Sequence, residues 1–302
     1  MVLLREMKHI VVLTDFEDYT HNAINYAVYL ANLTSATLSI FDSSKSSNAQ
    51  TFSAPLIQII RNDVFAFPPG VKAYLNSLLD TFSESILKTI HVVYKSQNEF
   101  DLEEIQNNHE QNTFDLLVLS TKEKQGIFNK IFRSNVSKLI EKASYPVLVI
   151  PNKIKFTEIH KFAFTTNLEE SEQLNVEFAY DLSKLCNTKF RLVHIYSTSS
   201  KKLEDQKARF ISLIEEKLGN DDFIFKEFQN DDLYNGLKDY TEKNTNCILC
   251  IKKNTKSGLE KLINKSPTEK LMFGAFSPIL VYTNGKDLET QLLTELQRKT
   301  TQ

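Results

Sequence analysis

The chain has 302 residues, 36 Lys+Arg against 38 Asp+Glu, a formal net charge of -2 and a hydrophobic fraction of 41%. That length fits two domains, and the balanced charge disfavours both a strongly basic nucleic-acid binder and an acidic solvating tail. No apolar run reaches the roughly 18 residues of a membrane span, and Met1-Val-Leu-Leu4 meets Arg5 and Glu6 at once, so neither a span nor a signal-peptide core is expected. Three cysteines, Cys186, Cys247 and Cys250, are too few for a disulfide framework and fit a reducing compartment, which places the protein in the cytoplasm.

The short β-branched run Ile10-Val-Val-Leu13 predicts a buried strand, and Ala23, Ile24, Ala27, Leu30 and Ala31 recur at helical spacing behind it. A strand near Thr37 to Phe41 follows, then helical material from Val71 to Leu87, a strand at Ile90 to Tyr94 and a helix from Asp101 to Glu110. Asp115 to Ser120 reads as a strand, a polar loop leads to a helix from Ser134 to Lys142, and Pro146 to Ile150 closes the half. Continuous apolar strands alternating with helices imply a parallel sheet covered on both faces.

After Pro151 the pattern restarts, with a strand at Lys161 to Thr166 and helical spacing from Leu168 to Leu185. Asp15 and Asn167 stand 152 residues apart, whereas Pro146 and Pro278 stand 132 apart, so the first half holds about 20 extra residues. Ser43 to Pro69 is the place for them, either as a lid over the sheet or as a neutral insertion. The linker, Pro151 to Thr157, is short and lacks Gly, which argues for closely packed domains. Beyond Thr283, Leu288, Leu292, Leu293 and Leu296 have the spacing of a final amphipathic helix.

Little in the chain nominates chemistry. Its seven glycines include no Gly-x-Gly pair and no Walker-type loop. Cys247-x-x-Cys250 lies in a predicted strand, where residues three apart face opposite sides, so core cysteines are expected rather than a redox or zinc pair. The six histidines have no metal-ligand spacing, and no serine, cysteine or histidine has a recognisable nucleophile setting. Acidic pairs such as Asp231-Asp232 stand at predicted helix starts, where the dipole favours them.

Two matching halves, each with Asp or Asn after its first strand, a serine-initiated last helix and a closing Pro-Val-Leu-Val-type strand, resemble the universal stress protein family in its tandem form. Ile10 to Asp15, Phe114 to Ser120 and Ser134 to Val149 carry the likeness in the first half; Phe190 to Ile195, Cys247 to Ile251 and Ser277 to Val281 carry it more weakly in the second. The resemblance implies an α/β chain of two repeated Rossmann-like domains of the adenine nucleotide alpha hydrolase-like kind, residues 1–152 and 153–302. Each would hold a five-stranded parallel sheet of order 3-2-1-4-5 with helices on both faces. It also implies pairing through last strands, so the two halves are expected to pack as a pseudo-dimer; a homodimer and unidentified protein partners stay open, with no nucleic acid and no membrane.

Nucleotide-binding members of that family share G-x-x-G-x9-G-[ST] between the fourth strand and the last helix, where glycines admit phosphates to backbone amides and a helix N-terminus. Here the glycine positions read Ser120, Glu123 and Arg133 in the first half and Lys252, Thr255 and Lys265 in the second. Only the terminal hydroxyls, Ser134 and Ser266, remain, and Ser266-Pro-Thr-Glu269 has the form of a capping box. Lysines make both loops basic and are read as solvated, although an anion could sit at those helix ends. Asp15, at the switch point of the sheet, is either a nucleotide contact or a turn former, and Asn167 is its uncharged counterpart.

The candidate site is therefore Asp15, Ser120, Arg133, Ser134, Asn167 and Ser266. The expected function is a non-enzymatic stress-response binding or regulatory role with degenerate nucleotide loops and no resident cofactor. One alternative is a sensor of ATP, AMP or another anionic metabolite, using Asp15, Ser134 and the backbone after Ser120. An enzyme of phosphate or adenylyl chemistry is disfavoured by the missing glycines.

Overall fold

A computed structural model describes residues 7–42, 50–61, 67–96, 114–121, 140, 143, 145–219, 222–252 and 277–282. The expected helices at Asp101 to Glu110 and Ser134 to Lys142, apart from Ile140 in the second, and the leucine-spaced tail lie outside them. The chain divides into two compact units, one formed by Glu6–Glu141 with Val147–Phe156 and the other mainly by Thr157–Gln302.

In the first unit the described elements are β1 (His9–Thr14), α1 (Asp18–Thr34), β2 (Thr37–Asp42), β3 (Gln50–Pro55), α2 (Leu56–Arg61), α3 (Pro69–Thr81), α4 (Glu84–Thr89), β4 (His91–Ser96), β5 (Leu116–Thr121) and β6 (Val147–Pro151). Their sheet runs β3-β4-β2-β1-β5-β6. β1 lies between β2 and β5, parallel to both, with Ile10 opposite Leu38 and Leu116. All six residues of β5 are buried, which is why the strand reads as an unbroken apolar run.

One expectation needs correction. The sheet is mixed, because β3 pairs antiparallel with β4. The Ser43 to Pro69 stretch thus supplies a strand and a helix to the core: Phe52 stacks on Tyr94 at 4.7 Å, and Leu56, Ile57, Ile59 and Ile60 of α2 are buried. Its described residues cover the outer edge of β4 instead of forming a lid. The helical material expected over Val71 to Leu87 is two helices, α3 and α4, separated at Phe82, whose backbone is extended (φ -125, ψ 142) so that its ring packs on Phe156 at 5.4 Å. Phe156 also meets Tyr26 and Tyr29, and its N–H donates to Asn22 Oδ1 at 2.9 Å, so this linker residue belongs to the first unit.

The second unit contains β7 (Lys161–Thr165), a 3-10 turn at Glu170–Glu172, α5 (Gln173–Leu185), β8 (Lys189–Tyr196), α6 (Lys201–Leu218), β9 (Ile224–Gln229), α7 (Leu233–Lys243), β10 (Cys247–Lys252) and β11 (Ile279–Tyr282). Its strands run β9-β8-β7-β10-β11, all parallel. α6 and α7 begin at side-chain caps: Ser200 accepts from Leu203 N–H and Asp232 from Asn235 N–H. Gly236 lets α7 approach β8, since a Cβ there would lie 2.9 Å from Ile195 Cδ1. Cys247 and Cys250 are unbridged and buried; burial pushes the Cys247 thiol up to about 12, so both are inert core residues.

Local backbone features recur between the units at a spacing of 152 residues. Ala36 N–H donates to Ala31 O at 3.1 Å and Thr188 N–H to Ser183 O at 2.9 Å, closing α1 and α5 in the same way. Ser35 (φ 57) and Asn187 (φ 50) supply the left-handed residue of those closures. Thr37 N–H donates to Lys8 O at 2.9 Å, and Lys189 N–H donates to His160 O at 3.2 Å.

Candidate functional site

At the carboxyl edge of each sheet the first strand gives way to a turn that reverses the chain into a helix. In the first unit Thr14 Oγ1 accepts from Phe16 N–H at 2.8 Å and meets Thr20 Oγ1 at 2.9 Å. Phe16 takes the left-handed backbone (φ 54), a conformation costly for a large side chain and held here by the Thr14 bond and by burial of the ring. Asp15 follows Thr14 and points back onto its own turn: Oδ1 accepts from Glu17 N–H at 3.1 Å and Oδ2 from Tyr19 O–H at 2.5 Å. Burial, then Asp15, pushes the Tyr19 phenol well up, so it remains a donor to that carboxylate.

Ser120, near the end of β5, is buried, with its hydroxyl directed to the carbonyls of Tyr19 (2.5 Å) and Ile150 (3.0 Å). The hydroxyl therefore ties the N-terminal turn of α1 to β5 and β6. Behind the turn, His21 stacks on Tyr74 at 3.9 Å, and the Tyr74 hydroxyl donates to His21 O and Asn25 Oδ1, each at 2.9 Å. α3 thus braces the start of α1.

The second unit builds the same turn with different chemistry. Thr166 Oγ1 accepts from Leu168 N–H at 2.8 Å, and Leu168 is again left-handed (φ 63). Where the first unit has Thr20, the second has Glu172, fully buried. Its carboxylate accepts from Thr166 O–H at 2.5 Å, from Asn167 N–H at 3.2 Å and from Glu169 N–H at 3.4 Å. Burial holds this carboxyl above its ordinary value, opposed by the Thr166 and Asn167 donors and by Lys252. Glu172 is thus an internal anion seated on the free donors of the turn.

Lys252 closes the edge from β10. Only 5% exposed, it donates from Nζ to Ser171 O at 3.0 Å and Ser171 Oγ at 2.6 Å, and lies 3.9 Å from Glu169 Oε2. The expectation of a solvated lysine is therefore wrong at this position: the ammonium lies within the edge because Ser171 and Glu169 present oxygens to it. His194 is buried on β8, its Nδ1 donating to Thr166 O at 2.9 Å, which makes it a brace of the same turn.

Of the candidate residues, Asp15 and Ser120 meet around Tyr19 in the first unit, and Asn167 lies in the Glu172 turn of the second. Arg133, Ser134 and Ser266 lie outside the described residues, as do the other glycine-substituted positions Glu123, Thr255 and Lys265. Among the described residues no group of three His, Cys, Asp or Glu side chains is placed to hold a metal ion, and no helix is long and apolar enough to cross a membrane.

The universal stress protein family model matches residues 6–151, the span that contains β1, the Asp15 turn, Ser120 and β6. The first half of the chain is thus a universal stress protein family domain. A universal stress protein from Archaeoglobus fulgidus DSM 4304 is similar in fold, with TM-score 0.59 at 11% identity, covering 92% of this chain and 97% of that one. A functionally unknown protein from Pseudomonas aeruginosa PAO1 gives TM-score 0.59 at 17% identity, covering 97% and 98%. The cytoplasmic domain of a prokaryotic cation chloride cotransporter gives 0.53 at 10%, covering 91% and 94%. A search of curated proteins found no match.

The residues that shape the two edges, Thr14, Thr20, Thr166 and Glu172, were not singled out by sequence reasoning. A signal existed in the recurrence of Thr just before Asp15 and Asn167, but Thr is common at strand ends. Nothing in sequence spacing distinguishes a glutamate that folds back into its turn from one that faces water.

Proposed function

We propose that the protein is a tandem universal-stress-type binding or regulatory protein, without catalysis, whose second half no longer takes a nucleotide at its carboxyl edge. The observation that carries this reading is Lys252: at the position of the family's first loop glycine, it places a buried ammonium on Ser171. A nucleotide phosphate would need that backbone approach, and the neighbouring donors already hold Glu172. The matching turns, helix closures and left-handed residues at a spacing of 152 support two repeated domains. Pairing of the halves as a pseudo-dimer is part of this reading and rests on the sequence repeat.

The test is a thermal-shift measurement of the whole chain with millimolar ATP and AMP. A ligand at 100 times its dissociation constant stabilises by about 2.7 kcal/mol, so binding would register as a rise of several degrees. A flat response is expected, and a saturable rise that persists in Asp15→Ala sinks the reading. One observation favours a second reading, a nucleotide or anionic-metabolite sensor in the first half: the position equivalent to Lys252 is the small Ser120, and Asp15 is only half-buried. On that reading ATP raises the melting temperature and Asp15→Ala abolishes the rise.

A further inference from the structure

One backbone carbonyl is tied down in the same way at both carboxyl edges. Ser120 of β5 donates to Tyr19 O at 2.5 Å, and Lys252 of β10 donates to Ser171 O at 3.0 Å. Tyr19 and Ser171 stand 152 residues apart, the spacing that also relates Asp15 to Asn167. The side chains at this position part company. The Tyr19 hydroxyl donates to Asp15 Oδ2 at 2.5 Å, whereas the shorter Ser171 hydroxyl meets Lys252 Nζ at 2.6 Å and Glu169 Oε2 at 3.3 Å.

In the first unit, then, both oxygens of Asp15 are taken up by its own turn, one by Glu17 N–H and one by the phenol. A hydroxyl on a carboxylate is a charge-assisted bond, the same contact that a sugar hydroxyl of a ligand would make there. Burial, followed by Asp15, pushes the Tyr19 phenol well up, so it stays a donor at neutral pH. The Ser120 bond fixes the backbone of residue 19, which lowers the entropy lost when the ring holds Asp15. Asp15 and Tyr19 are both half-buried, and the adjacent Glu17 and Asp18 are exposed. Their negative charge suits the neutral hydroxyl end of a ligand better than its phosphate.

We propose that Tyr19 is an autoinhibitory latch of the first carboxyl edge, its hydroxyl occupying the Asp15 oxygen that would otherwise receive a sugar hydroxyl of a nucleotide. This rests on the second reading above, in which Asp15 is the group a nucleotide meets. A ligand must first displace the phenol, so its apparent affinity is reduced by the fraction of chains with the latch open. The test is a set of melting curves of the full chain over a titration of AMP, with 2′,3′-dideoxy-AMP as the analogue without sugar hydroxyls. Tyr19→Phe keeps the ring and removes the donor. It should respond saturably, with a midpoint at least about tenfold below that of the parent, whose response is weak or flat. Tyr19→Leu should show the same gain, so that failure of one variant to fold leaves the other to decide. Adding Asp15→Ala should abolish the gain, and the dideoxy analogue should not produce it. Equal midpoints in parent and variants overturn the latch, and so does a gain that survives Asp15→Ala or the loss of the sugar hydroxyls. A parent response that Asp15→Ala abolishes, with an unchanged midpoint in Tyr19→Phe, upholds the second reading and overturns the latch alone. Flat curves in every chain overturn both.

Discussion

The two carboxyl edges form the same turn around different polar fillings. Thr14 and Thr166 hold Phe16 and Leu168 in the same left-handed conformation through equal 2.8 Å bonds, so the backbone geometry is shared where the side chains differ. In the first half two neutral hydroxyls, Thr20 and Ser120, complete the turn; in the second a buried carboxylate and a buried ammonium do so. Charges removed from water must satisfy each other, so the second edge is more tightly specified and less open to an outside ligand.

If this difference is real, the two edges should respond unequally to matched truncations. Glu172→Ala leaves the Thr166 hydroxyl and the Asn167 and Glu169 amides without their acceptor and should cost about 3 kcal/mol in urea unfolding. Thr20→Ala, its counterpart, removes a neutral pair and should cost about 1 kcal/mol. Equal losses would mean that the buried carboxylate adds nothing a hydroxyl does not.

Lys252→Met, close in volume, should cost about 2 kcal/mol at neutral pH because it leaves Glu172 buried without its nearby cation. The loss should shrink as the pH falls and Glu172 protonates. A variant as stable as the parent would place the ammonium in solvent.

The pH dependence sharpens the same comparison. Glu172 has a folded value raised above 4.5, so in the window between them the folded state binds more protons than the unfolded. Its contribution to stability therefore grows as pH falls from above the raised value towards about 4.5, is full below that, and is lost as pH rises. Glu172→Gln should flatten this part of the profile, and an unchanged slope in paired urea titrations would assign it elsewhere.

The smallest effect concerns the helix closures. Ser35 is exposed at φ 57, where its counterpart Asn187 suits the left-handed backbone better. Ser35→Gly should stabilise by about 0.5–1 kcal/mol, visible as a rise in melting temperature, and a fall would show that the serine side chain has a use not visible in its exposure.

Much of the scaffold was legible because it follows from periodicity. Ile10 to Leu13 and Leu116 to Leu119 are buried on both faces and must be apolar throughout, whereas Ala23 to Ala31 line one side of a helix. β3 escaped notice because Gln50 to Pro55 is short and lacks an apolar run, and only pairing with β4 makes it a strand. The break at Phe82 was equally hidden, since local spacing continues through it and the reason for it is a ring contact with Phe156, 74 residues away.

Sequence alone determined the α/β alternation and the likeness of the first half to the universal stress protein family, because these are properties of residue order and type. Tertiary structure decided the fate of the polar groups. Whether Lys252 is solvated or buried, and whether Glu172 faces water or its own backbone, depends on which oxygens and amides the fold brings within reach. The energy of a charge is set by that neighbourhood, and the neighbourhood is assembled from residues as far apart as Ser171 and Lys252.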